Sequence, residues 1–511
     1  MSDRSALDID SKLRRVNESG RYVRTGTVSR VTGLTIESQG PLAALGELCL
    51  IHMPDGSKRP VEVVGFNPNS LFLMPLGELE GISPGLKITA EGRGMAVPVG
   101  TALLGRVVDG LCRPIDGKGP IEHDTLQPLA AAPPDPLLRP RVKEIMPLGV
   151  RSVDAFLTCG RGQRIGVFGG SGVGKSTLLG MFARWAKSDV NVIALIGERG
   201  REVRDFIERD LGEQGMRRSV VVVVTSDQPP LLRIKGAMTA CAISEFYRDR
   251  GSHVLLMMDS ITRVCFAQRE IGLAIGEPPT TRGYTPSVYS MLPRLLERSG
   301  TSERGSVTGL YTILVEGDDM NEPVADAARS ILDGHIILSR ELAGSDHFPA
   351  IDILNSQSRV FTDIASAAHR TQATRVRNLM ATYLRARDLL DVGAYVKGSN
   401  SQIDASVEAW DKIQQFLRQV PEHHARFDET LKKSGSGVGR LSKGLEIRLW
   451  QGNINSALRA CWSCAIAKWM FAAKILRWRP GGWPTLNETC RKLSANKTLS
   501  IADGRRNPQP D

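Results

Sequence analysis

Gly169-Gly170-Ser171-Gly172-Val173-Gly174-Lys175-Ser176 is preceded by Arg164-Ile165-Gly166-Val167-Phe168 and followed by Thr177-Leu178-Leu179-Gly180-Met181-Phe182. The leading run is apolar and β-branched, as a buried strand is. The trailing run spaces its apolar residues as a helix does. The octet G-x-x-x-x-G-K-S therefore falls at a strand-to-helix turn, the one context in which this pattern makes a phosphate-binding loop. Glycines let the backbone turn tightly enough for successive N–H groups to face phosphate oxygens, and the helix N-terminus adds partial positive charge there. Residues Gly169, Gly170, Ser171, Gly172, Val173, Gly174, Lys175, Ser176 and Thr177 are the expected nucleotide-binding set. Lys175 would reach the β- and γ-phosphates, and the Ser176 hydroxyl would ligate Mg²⁺.

Outward from this loop, residues 151–362 alternate apolar strands with amphipathic stretches. The strands are RIGVFGG, NVIALIG (191–197), SVVVVVTS (219–226), HVLLMMD (253–259), TGLYTILV (308–315) and HIILS (335–339). Near-continuous apolar strands between helices predict a parallel sheet covered on both faces. Upstream, residues 24–99 hold six short strand-like runs at roughly ten-residue spacing, the pattern of a small β-barrel or sandwich. Residues 100–150, rich in Pro and Gly, read as a connection that wraps the next domain. Residues 363–433 contain no strand signal and read as a few helices. The expected division is a segment 1–23, a barrel 24–99, a nucleotide-binding domain 100–362, a helical domain 363–433 and a tail 434–511.

Composition narrows the function classes. The 511-residue chain carries +11 formal charge, but 13 Lys+Arg against 4 Asp+Glu lie from Ser434 onward, so the body is nearly neutral. A basic groove for nucleic acid is not expected from such a body. The barrel region offers only Tyr22, Phe66 and Phe72 as stacking aromatics, too few for a single-strand binder such as an RNA translocase. The polar start MSDRSALDIDSKLRRVNESG lacks the apolar core of a secretory signal, and no run of 18 uncharged apolar residues appears. Scattered single cysteines suit reduced, buried thiols. These features predict a cytoplasmic protein. The tail holds five of the seven tryptophans and the lone pair Cys461 and Cys464, a poor zinc site. It reads either as a non-native or frameshifted end, or as an element that lies on an anionic membrane surface.

Two carboxylates end predicted strands on the same edge as the loop. Asp259 closes HVLLMMD, where it could hold Mg²⁺ through water, although strand-ending aspartates are common without that role. Glu198, followed by Arg199, ends NVIALIG. It could position the attacking water or be no more than part of the charged turn GERGRE.

GERGRE (197–202), GGSGVGKST, VLLMMDSITR (254–263) and AIDILNSQSR (350–359) together resemble the hexameric ATPases related to the rotary ATP synthases. CGRGQRIGVFGGSGVGKSTLL, GEPPTTRGYTPSVY and NEPVADAARSILDGHIILSREL look most like the export ATPases of bacterial flagella and of type III secretion. The resemblance runs from about Gly20 to Thr430 with the motifs in family order, and nothing in the tail matches it. It implies an N-terminal β-barrel, a central P-loop (RecA-like) ATPase domain and a C-terminal helical domain. It also implies ATP hydrolysis with Mg²⁺, Glu198 as the water-activating carboxylate, and Arg199 and Arg263 near the γ-phosphate. Arg359 matches the finger arginine that reaches a neighbouring subunit's nucleotide. Glutamate at 198, where non-catalytic rotary subunits carry glutamine, argues for a hydrolytic chain. The implied partners are a homohexameric ring, a regulator or stator, stalk and gate proteins, and substrate–chaperone complexes. The implied location is the inner face of the cytoplasmic membrane, and flagellar export is favoured over virulence secretion. The remaining alternatives are a rotary synthase subunit, which the export-type stretches disfavour, and a non-hydrolysing binding module, which the full set of chemical residues disfavours.

Overall fold

The computed structural model describes residues 23–434 except 316 and 318, so the expected N-terminal partner-binding segment 1–23 and the basic tail 434–511, apart from Val23 and Ser434, lie outside the described residues. Six strands, β1 (Thr25–Thr32), β2 (Thr35–Gln39), β3 (Glu47–His52), β4 (Lys58–Asn67), β5 (Ser70–Pro75) and β6 (Lys87–Gly94), close a barrel in the order β1-β2-β5-β4-β3-β6. Alternation in these strands turns Val28, Ile36, Cys49, Ile51, Val61, Val63, Leu73 and Ile88 into one interior cluster. Closure leaves no sheet edge in the barrel, which decides between the barrel and sandwich readings.

The 100–150 connection does more than wrap. Strand β7 (Ala96–Val99), just before it and outside the closed barrel, pairs with its β9 (Thr125–Pro128), and its β8 (Val107–Val108) joins the central sheet beside β12 (Ser219–Thr225). The other strands of that sheet are β10 (Arg164–Gly169), β11 (Val190–Glu198), β13 (His253–Asp259), β14 (Gly300–Thr301), β15 (Ser306–Leu314), β16 (Gly334–Leu338) and β17 (Ile351–Ser358). Their order is β17-β16-β10-β15-β13-β11-β12-β8, with β14 pairing β15. All pairs are parallel except β14 on β15 and β17 on β16.

Both faces of this sheet are buried, which is why its strands read as unbroken apolar runs. Along β13, Val254, Leu256 and Met258 enter one core with the long helix Pro230–Asp249, while Leu255 and Met257 enter the other with the loop helix Lys175–Trp185. The second core also takes Ala373, Val376 and Met380 of the helix Ala367–Asp391 and Ala409 and Ile413 of Ser401–Leu417. These helices, with the short Phe361–Ile364 and Phe427–Lys433, form a C-terminal helical region without strands among the described residues. Polar ties reinforce the packing: Arg377 donates to the Phe156 carbonyl at 3.0 Å, and the Arg151 N–H donates to Gln419 at 2.9 Å.

The barrel and the nucleotide-binding domain are joined by a buried ion pair. Lys235 on the Pro230–Asp249 helix donates to Glu62 of β4 at 2.7 Å, and both side chains are less than a tenth exposed. Burial pushes the Glu62 carboxyl above its ordinary range while Lys235 pulls it back. A pair this enclosed contributes little net stability, but loss of one partner strands a charge.

Candidate active site

The loop leaves β10 at Gly169 and enters its helix at Lys175, with Gly172 and Gly174 at φ +80° and +91°. A side chain at either position would be strained, so these two glycines are what lets the turn close. Val173 points inward and is 2% exposed, whereas Ser171, Gly172 and Ser176 face solvent and Thr177 is half-buried. The loop thus has an anchored apolar residue and an open polar rim. Lys175 is buried, and its ammonium donates to the Gly169 carbonyl at 3.0 Å and to that of Gly170. Burial lowers its pKa, against the opposing pull of Asp259 and Glu198.

Both predicted carboxylates stand at strand ends on one side of this lysine, beyond β15 in the sheet order. Asp259 closes β13 and is buried, and its Oδ1 accepts from the Thr312 hydroxyl of β15 at 2.5 Å. Burial raises its pKa, while Thr312 and then Lys175 lower it. Glu198 closes β11, and Arg263, in the first turn of the helix Ile261–Ala274, lies against it. Arg263 Nε is 3.0 Å from Oε1 without the alignment of a hydrogen bond, and Nη2 donates to Oε2 over 3.3 Å. Desolvation, a hydrogen bond with the Glu202 carboxyl and the charge of Asp259 push Glu198 up to about 8, with Arg263 acting in the opposite sense. A carboxyl tuned toward neutrality and aimed at a phosphate loop is suited to hold and accept a proton. Gly197, at φ +74°, makes the arginine's approach possible: a Cβ there would sit 2.8 Å from Arg263 Cδ.

Lys175, Glu198, Asp259 and Arg263 are brought together; Arg199 and Arg359 are not. The Arg199 side chain is 78% exposed, with its nearest carboxylate, Glu202, at 3.8 Å. Arg359 follows β17 at the opposite edge of the sheet. Its N–H donates to the Asp333 carbonyl at 2.9 Å, and Asp333 in turn accepts from Arg164 at the start of β10. The whole length of β10, about 17 Å at 3.3 Å per residue, separates that edge from Gly169. Arg359 cannot serve its own chain's loop.

Two residues beside the loop have no local sequence signal. The Arg340 guanidinium lies against Gly170, and the Phe348 ring lies 3.6 Å from the Cβ position of Gly174 with 41% of the residue exposed. Phe348 offers an aromatic face at the mouth of the loop, on which a base could stack. Both follow β16, far from the loop in sequence. Among the described residues no cluster of three or more His, Cys, Asp or Glu forms a metal cage. Ser176 and Asp259 suit Mg²⁺ instead, which is usually held by few protein ligands together with phosphates and water.

Comparison with known proteins agrees with this geometry. The model of the ATP synthase alpha/beta family nucleotide-binding domain matches residues 149–358, and that family's beta-barrel domain matches 28–92. The T3SS EscN ATPase C-terminal domain matches 365–433. The flagellum-specific ATP synthase of Bacillus subtilis is 52% identical over 422 residues, covering 82% of this chain and 96% of that protein. The assembled ATPase EscN of the enteropathogenic E. coli type III secretion system is 43% identical, with a TM-score of 0.78 over 81% of this chain and 100% of that one. EscN in complex with its central stalk EscO gives 42% identity and a TM-score of 0.75 over the same shares. With the phosphate loop, the strand-end carboxylates and all three domain models in one order, the chain belongs to the ATP synthase alpha/beta family, among the flagellum-specific and type III secretion ATPases.

Proposed function

We propose that this ATPase hydrolyses Mg-ATP between the subunits of a homohexameric ring and that the energy drives protein export, by the flagellar apparatus in the narrower reading. The observation that carries the hydrolytic part is Glu198, a carboxyl raised to about 8 and held against Arg263 at the edge of the phosphate loop. In this reading Lys175 exchanges the Gly169 and Gly170 carbonyls for phosphate oxygens. Glu198 orients a water and accepts its proton as the terminal P–O bond breaks, giving ADP and inorganic phosphate. Ser176 and Asp259 would hold Mg²⁺, which supplies charge neutralisation at the phosphates. Arg199 stands on the same strand end, exposed where a neighbour or the nucleotide could meet it.

The ring follows from Arg359. A guanidinium on the sheet edge opposite the loop can stabilise developing charge only in another chain's site. The assembled state of EscN supports this reading, and its complex with EscO supports a stalk as one partner of this chain. A regulator or stator, gate proteins and substrate–chaperone complexes are the other partners we assign, with no specific nucleic acid. Among the described residues no helix is long and apolar enough to cross a membrane, and we place the protein in the cytoplasm at the inner membrane face. The match of residues 365–433 to the EscN C-terminal domain favours virulence secretion as the second reading. The functional division we assign is 24–99 barrel, 100–362 nucleotide-binding and 363–433 helical.

Arg359→Ala tests the core of this proposal. ATP binding should persist while turnover falls by about 10³ or more, and specific activity of the unaltered protein should rise steeply with its concentration. Full turnover in the variant, or specific activity independent of concentration, would remove the between-subunit site. Motility assayed beside effector secretion in a deletion strain separates the two export systems.

A further inference from the structure

The end of β16 and the segment that follows it run along the phosphate loop. The Leu338 side chain lies 3.0 Å from the Cβ position of Gly169, Arg340 lies on Gly170, and Phe348 meets Gly174. At Gly170 the three atoms nearest to an added Cβ all belong to the Arg340 guanidinium, with Cζ and Nε at 3.1 Å. No side chain at 170 could coexist with that arginine in place. Arg340 is itself an exposed residue, within reach of a ligand that approaches the loop from solvent.

The same glycine receives Lys175, whose ammonium donates to the Gly170 carbonyl. Two cationic groups therefore flank one residue of the loop. Burial is the main cause of the lowered Lys175 pKa, with Arg263 and then Arg340 adding to it, and an anion placed between Lys175 and Arg340 relieves their repulsion. The lysine of such a loop reaches the β- and γ-phosphates, so a group beside its ammonium reaches the outer end of the phosphate chain. A planar guanidinium presents two parallel N–H groups in a fixed fork that matches two oxygens of one phosphate, a geometry an ammonium lacks.

We propose that Arg340 is a specificity-determining residue that contacts the terminal phosphate and makes the site prefer a nucleoside triphosphate to a diphosphate. This rests on the nucleotide reading of the loop. The same segment also touches the helical domain: Glu341 pairs with Arg387 of the Ala367–Asp391 helix at 2.9 Å, and the Phe348 carbonyl accepts from the Gln419 N–H at 2.9 Å.

The test is equilibrium binding of ATP and of ADP, each with Mg²⁺, to the full chain and to its Arg340→Gln, Arg340→Lys, Gly170→Ala and Lys175→Ala variants. Arg340→Gln should weaken ATP about tenfold or more, as expected for a lost hydrogen bond to a charged group, and leave ADP within about twofold. Arg340→Lys should recover part of the preference. Gly170→Ala should push the guanidinium aside and lower the ATP preference similarly, yet add nothing to Arg340→Gln. Equal weakening of ATP and ADP, or an unchanged ratio between them, would overturn the proposal. Lys175→Ala should weaken both nucleotides. If the unaltered chain bound neither, the nucleotide reading itself would fail, a result distinct from an unchanged ratio.

Discussion

Replacing Arg263 by glutamine should move the pH dependence of turnover rather than simply reduce it. Glu198 acts as a base only when ionised, so its raised pKa places an ascending limb in the rate, with activity growing as pH rises through about 8. Arg263 lies 3.0 Å from Oε1 and lowers that pKa, against burial and the neighbouring carboxyls Glu202 and Asp259. An opposite charge at this range shifts a carboxyl by roughly 1–3 units. The Arg263 side chain is 30% exposed and partly screened by solvent, so the low end, about 1 unit, applies. Without it the limb should lie about 1 unit higher. Turnover on the acidic side of the limb should then drop about tenfold and converge with the unaltered enzyme about two units above the limb. The assay is kcat at saturating Mg-ATP across pH, using the assembled protein, with Arg263→Lys as a charge-retaining control. A variant that lost the same factor at every pH, with its limb unmoved, would show that Arg263 does not act through Glu198.

Gly197→Ala forces a left-handed residue to carry a Cβ beside Arg263, and should cost about 1–2 kcal/mol in thermal unfolding while also lowering turnover. Lys235→Met should destabilise the chain by about 3 kcal/mol in denaturant titrations, because Glu62 is left buried without its partner. Adding Glu62→Leu to Lys235→Met should restore most of that loss; a double variant as unstable as the single one would contradict the reading of this pair.

The fold was legible where burial on both sides of a strand suppresses alternation. β10, β11, β12, β13, β15 and β16 overlap the apolar runs RIGVFGG, NVIALIG, SVVVVVTS, HVLLMMD, TGLYTILV and HIILS, with ends that differ by at most two residues. The strand β8 escaped because two residues in a Pro- and Gly-rich stretch carry no periodicity, and only the neighbouring β12 makes them a strand. The segment after Gly200 looks like one amphipathic helix, yet Phe206–Leu211 forms a π-helical turn between two short α-helices, a difference too small for side-chain spacing to report. At the site, Lys175, Glu198 and Asp259 were readable because a parallel sheet delivers its strand ends to one edge. Arg340 and Phe348 were not, since their nearness to the loop is set by β16 pairing with β10, a contact between distant parts of the chain. The role proposed for Arg359 rests on family likeness alone; nothing in its own sequence neighbourhood separates it from other surface arginines.

The sheet order also sets a timetable for synthesis. β10, which carries the phosphate loop, pairs with β15 on one side and β16 on the other, and neither strand begins before Ser306. β11, β12 and β13 can pair among themselves much earlier, as can the six strands of the barrel. On the ribosome, therefore, the barrel and one half of the sheet can be complete while the strand that ends in Gly169 still has no neighbour to hold it. The loop is among the first parts of the nucleotide-binding domain to be translated and among the last to be built. Nucleotide cannot template the early folding of this chain, and β10, apolar on both faces, must be kept from foreign sheet edges until the far strands arrive.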